Sequence, residues 1–94
     1  HRMSVRVKIF ASLQKIAGTG EIRLDGDTVM SVLEQLVARF QNLKPEVFAD
    51  YGNRELKARV KIMVNGRLID YLDGLETKLN EGDRVAVFPV VAGG

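Results

Sequence analysis

Apolar and polar residues alternate over positions 5–10, where Val5, Val7 and Ile9 interleave with Arg6 and Lys8 and Phe10 ends the run. Two-residue periodicity with β-branched side chains predicts a half-buried strand. Positions 11–18 fit a short helical turn closed by Gly18 and Gly20, and 21–25 alternate again as a second strand. At Thr28 the period changes. Val29, Val32, Leu33, Leu36, Val37 and Phe40 recur at helical spacing, with Glu34, Gln35, Arg39 and Gln41 on the other side. That pattern predicts one amphipathic helix, with Thr28 as its N-cap. Pro45 bars easy continuation, because the residue before a proline avoids helical angles. Positions 46–51 then read as a short turn and 52–57 as a polar loop. Alternation returns over 58–64, and Asn65-Gly66 signals a tight hairpin into a short strand at 67–69. Turns at Asp73-Gly74 and 80–83 lead to the final strand, 84–90, whose Val85, Ala86, Val87 and Phe88 are continuously apolar. Such a run marks a central position, and Pro89, lacking an N–H, marks the end of regular pairing.

The order strand, strand, helix, strands predicts an α+β fold of the ubiquitin-like β-grasp type, a mixed sheet of four to five strands packed on one main helix. The first two strands pair as a hairpin with a long connection, and the first and last lie side by side and parallel at the centre. A ferredoxin-like arrangement needs a second long amphipathic helix, which positions 45–57 are too polar and broken to supply. Phe10, Leu13 and the stripe from Val29 to Phe40 are assigned to the core.

Ninety-four residues suffice for one small core without a metal or disulfide staple. The expected organisation is a single domain over 3–94 with a flexible tail at 90–94, and His1-Arg2 before Met3 are set aside as an expression remnant. The formal charge is +2, with no charge block of the kind that marks a nucleic-acid or membrane-binding tail. Lys57, Arg59 and Lys61 read as one solvated face of a strand, so neither nucleic acid nor membrane is an expected partner. Cysteine is absent and the single histidine is His1, which removes thiolate nucleophiles, cysteine-based metal sites and the usual general base. No bound cofactor or metal is expected, and the cytoplasm is the default location.

What remains is the end of the chain, Val90-Val91-Ala92-Gly93-Gly94. Glycine has no Cβ, so a double-glycine tail can thread a narrow channel in conformations closed to other residues. Its carboxylate can attack the α-phosphate of ATP, giving an acyl-adenylate open to a sulfur or nitrogen nucleophile. Taken alone, the same tail fits an ordinary frayed terminus equally well.

Four segments add a family likeness: Val7-Lys-Ile-Phe-Ala-Ser-Leu13, Thr28 with Leu33-Glu-Gln-Leu36, Val64-Asn-Gly66, and the run from Thr77 through Leu79, Gly82-Asp83, Val85 and Phe88-Pro89 to Gly93-Gly94. In these the chain resembles the small subunit of molybdopterin synthase, within the ubiquitin-like sulfur carriers that include the thiamine-pathway carrier. It is also similar to archaeal members of the group, some of which double as protein modifiers. The resemblance implies a non-catalytic carrier activated by an ATP-using, ubiquitin-activating-type adenylyltransferase. Gly94 is adenylated, a sulfur donor converts it to a thiocarboxylate, and the tail enters the large synthase subunit to sulfurate a cyclic pyranopterin precursor. Gly93 keeps the passage narrow, Ala92, Val91 and Val90 add extended contacts, and Phe88 and Pro89 belong to the partner interface. A second reading is a ubiquitin-like modifier joined through Gly94 to lysines, or a thiamine-pathway type sulfur carrier. A third is a β-grasp binding module, which requires a basic face that the sequence does not display.

Overall fold

A computed structural model describes residues 3–91. The first strand, β1 (Ser4–Ile9), buries Val5, Val7 and Ile9 and exposes the residues between them. The helix α1 (Ala11–Ala17) comes next, closed by Gly18 in the left-handed region at φ +79°, where a Cβ is unfavourable. β2 (Glu21–Asp25) returns antiparallel to β1 with Val5 opposite Leu24. Thr28 caps α2 (Val29–Arg39) as expected. Its Oγ1 accepts from the Ser31 amide at 3.1 Å, while Ser31 Oγ accepts from the Thr28 amide at 3.0 Å. This reciprocal pair satisfies two otherwise orphaned donors.

The next stretch differs from expectation. Residues 46–51 are not one turn: α3 (Lys44–Val47) runs directly into a strand, β3 (Phe48–Asp50). The supposed loop 52–57 contains β4 (Glu55–Leu56), paired antiparallel with β3. Phe48 and Tyr51 meet edge to face at 5.0 Å, and Lys44 Nζ lies 4.2 Å from the Tyr51 ring centre. Such contacts let a polar segment fold over a small apolar anchor. The strand predicted over 58–64 is β5 (Val60–Val64), which turns through Asn65 (φ +51°) and Gly66 (φ +86°) into β6 (Arg67–Leu68). Positive φ at both central residues is what a type I′ hairpin turn requires. Lys57 and Arg59 therefore precede the strand, and Lys61 alone of the three sits on it.

The last strand, β7 (Arg84–Pro89), lies in the middle of a five-stranded sheet of order β2-β1-β7-β5-β6. It runs parallel to β1, with Val7 beside Val85 and Ile9 beside Val87, and antiparallel to β5, with Val60 opposite Pro89. One sheet face packs on α2. Val7, Val29, Val32, Leu33, Leu36, Ile62, Val85 and Val87 are all completely inaccessible, each contributing about 1.5–3 kcal/mol of burial. This is the mixed sheet on one main helix expected of a ubiquitin-like β-grasp fold.

Two aromatic assignments change. Phe10 is 43% exposed: it comes directly after the inward Ile9, so the alternation of β1 turns it to the outer side as it caps α1. Phe40 terminates α2 and only borders the core, whereas Met30, outside the predicted stripe, is buried at 3% exposure.

Candidate functional site

Because β7 is bonded on both sides, its direction is fixed up to the point where pairing stops. Val87 C=O accepts from the Phe10 amide at 3.1 Å, and the Val90 amide donates to Arg59 C=O at 2.6 Å. That second bond carries the chain one residue past Pro89 and holds it against the turn preceding β5. Val91, beyond it, is 81% exposed. Ala92, Gly93 and Gly94 lie outside the described residues.

A cleft of roughly 420 Å³ surrounds this point, lined by Ala11, Ser12 and Leu13, by Glu46, Lys57 and Arg59, and by Pro89, Val90 and Val91. The start of α1, the end of α3 and the turn before β5 thus converge on the root of the tail. Ala11 adopts φ +53°, a left-handed conformation that costs an alanine about 1–2 kcal/mol. The surrounding bonds hold it there: Phe10 is tied to β7, and Gln14 N–H donates to Phe10 C=O at 3.3 Å. Backbone strain of this kind gathers where a surface is shaped for use. Lys57 and Arg59, read from sequence as solvated strand residues, instead set two cations and the Glu46 carboxylate around the exit. The sequence signal for this grouping is weak, because its members are far apart in the chain.

Phe88 and Pro89 are half-buried on β7. Phe88 points to the outer sheet face, opposite Lys61, while Met63 stands opposite both Ala86 and Leu68. Together with Phe10 these residues give the outer face an apolar zone beside the tail root. The structure therefore brings Phe88, Pro89, Val90 and Val91 to one end of the molecule.

The described residues offer little other chemistry. No cluster of three or more histidine, cysteine, aspartate or glutamate side chains is placed there to hold a metal ion. Asp50 has its carboxyl held below the ordinary range, first by the Asn53 side-chain amide at 2.8 Å and then by the Asn53 backbone amide at 3.1 Å; this is turn geometry between β3 and β4. No helix of the described residues is long and apolar enough to cross a membrane.

Comparison with known proteins places this geometry among relatives. The profile of the ThiS family matches residues 7–94. Small archaeal modifier protein 3 of Haloferax volcanii is 39% identical over 95 residues, covering 98% of this chain and all of the relative. A putative sulfur carrier protein of Archaeoglobus fulgidus is 32% identical, with 98% and 100% covered. The solution structure of small archaeal modifier protein 1 from Methanosarcina acetivorans superposes with a TM-score of 0.90 at 37% identity, covering 100% of this chain and 99% of the other.

Proposed function

The chain belongs to the ThiS family of ubiquitin-like sulfur carriers and modifiers, and on that premise we propose that its working group is the carboxylate of Gly94. An oxygen of that carboxylate attacks the α-phosphate of ATP on an activating enzyme, forming an acyl-adenylate and releasing pyrophosphate. Sulfur at the sulfide level, delivered by a sulfur donor, then attacks the acyl carbon; the C–S bond forms, the bond to AMP breaks, and a thiocarboxylate is left on Gly94. Activation is needed because a carboxylate oxygen is a poor leaving group until it is adenylated and can depart as AMP. Gly93 and Ala92 give the narrow lead, and Val90 and Val91 the extended root. Phe88 and Pro89 join the surface that the partner covers.

The observation that carries this reading is the hand-over from β7. A strand locked between two neighbours delivers the chain to a pinned Val90 and an exposed Val91, so the fold serves as a handle for the terminal glycines. The sulfur acceptor is a cyclic pyranopterin precursor, reached when the tail enters the large subunit of molybdopterin synthase. Its support is the residue pattern from Thr77 to Gly94, through Gly82-Asp83 and Phe88-Pro89. The names of the Haloferax and Methanosarcina relatives favour a second use, attack on the same adenylate by a lysine amine, which releases AMP and leaves an isopeptide.

Intact mass spectrometry of the native protein, isolated without reductant, separates the two. A carrier shows a population in which one oxygen of Gly94 is replaced by sulfur. Recovery of Gly94 only in isopeptide links to lysines makes the modifier reading the correct one. Deleting Gly94 should abolish either product.

A further inference from the structure

The register of the sheet sets three arginines in one row. Arg6 of β1 stands opposite Arg23 of β2 and beside Arg84 of β7. All three are exposed on the outer face, spanning about 10 Å at the usual strand spacing. They line a shallow cleft of roughly 250 Å³ with Ser4, Val5 and Gly82. The ion pairs among the described residues lie elsewhere, between Arg54 and Glu76 and between Lys61 and Asp70. Of the carboxylates beside this cleft, Glu81 accepts from the Ser4 amide at 2.9 Å, Asp83 accepts from Asn65 Nδ2 at 2.9 Å and from the Asn80 amide at 2.8 Å, and Asp25 stands opposite Ser4.

Like charges directly opposite each other destabilise a sheet, and opposite charges there stabilise it. The neighbouring row obeys that logic, with Lys8 opposite Glu21; the arginine row violates it at Arg6 and Arg23, and Arg84 adds a third cation on the parallel side. All three residues are arginine, whose forked guanidinium suits carboxylate or phosphate better than the point charge of lysine. A row that costs the isolated fold stability is explained by something that binds it.

We propose that the Arg6–Arg23–Arg84 row is a docking site for a carboxylate-bearing surface of a partner protein. On the β7, β5 and β6 side the same face passes from Arg84 to Ala86, Met63 and Leu68 and then to Phe88 beside Lys61, while Lys8 and Glu21 continue the charge on the β1 and β2 side, so along β7 the site grades from cationic to apolar toward the tail root. A protein surface with acidic residues at one end and apolar ones at the other matches that gradient. A nucleic acid would call for aromatic rings interleaved with the cations, and here the rings stand apart from them. The inference does not depend on the chemistry of Gly94.

The test is an amide NMR titration of the full chain with the peptide Glu-Leu-Glu-Glu-Leu, run beside a lysine-for-glutamate peptide and an oligouridine. The acidic peptide should shift the amides around Arg6, Arg23, Arg84 and Ala86, and should bind more weakly as salt rises from ~0.05 to ~0.3 M. Arg6→Ala with Arg84→Ala should weaken it about ten-fold or more. Arg23→Glu should also weaken it while raising Tm by about 2–4 °C, because it puts opposite charges across the strands. No site-specific shift up to millimolar peptide, shifts centred on Lys57 and Arg59, or tighter binding of the oligouridine to the row would overturn the proposal. So would a lowered Tm for Arg23→Glu, since the row would then be structural.

Discussion

Gly26 shows how little room some single positions leave. A Cβ built there falls 2.5 Å from Ser31 Oγ and 2.7 Å from Val32 Cγ2, so it collides with both the capping pair and the first buried turn of α2. Gly26→Ala should cost about 1–3 kcal/mol, read as a lower urea midpoint with unchanged m-value. Asp50 provides a contrasting, pH-dependent case. Its carboxyl is held below the ordinary range by Asn53, so the folded state binds its proton less readily than the unfolded chain. The stabilisation is therefore complete above the unfolded value of about 3.9 and is lost as pH falls through the depressed folded value. Exchange protection of the Asn53 amide should hold from pH ~7 to ~5 and fade below pH ~4. In Asp50→Ala that step should vanish, leaving low protection throughout.

At the scale of elements, sequence reports whatever repeats locally. The stripe of α2, the alternation of β1 and β2 and the Asn65-Gly66 turn each declare themselves within a dozen residues, and each forms. The hairpin of β3 and β4 does not declare itself. Its strands have three and two residues, too short for a period to show, and Phe48 with Tyr51 supplies the anchor. Phe10 departs from its core assignment because hydrophobicity does not report which face a strand end presents. The arginine row is invisible in the sequence for another reason: residues 6, 23 and 84 meet only through pairing between distant strands. The same reason hides the grouping of Glu46, Lys57 and Arg59 beside Val90. For α2, whose Leu36 is completely buried against the sheet, Leu36→Ala should cost about 2–5 kcal/mol, measured by chemical denaturation.

For the whole molecule, the decisive arrangement is that strands from opposite ends of the sequence lie together at the centre. Val85 and Val87 are fully buried in the core they share with Val7 and Ile9. Ending the chain after Val91 should leave thermal unfolding within about 1 °C of the full protein, because Val91 is exposed and the core closes at Val87. Ending it after Asp83 removes the central strand and should abolish cooperative unfolding altogether, seen as loss of NMR dispersion.

The position of β7 also bears on the protein's synthesis. A ribosome emits β1 through β6 before residues 84–89 appear, and until then the strands destined to flank them have no common neighbour. The nascent chain must wait, its half-sheets unjoined, until residues 84–89 have emerged. Assembly is thereby ordered in time: the sheet closes only once β7 has emerged, so a product stalled before residue 84 lacks the strand that joins its two halves.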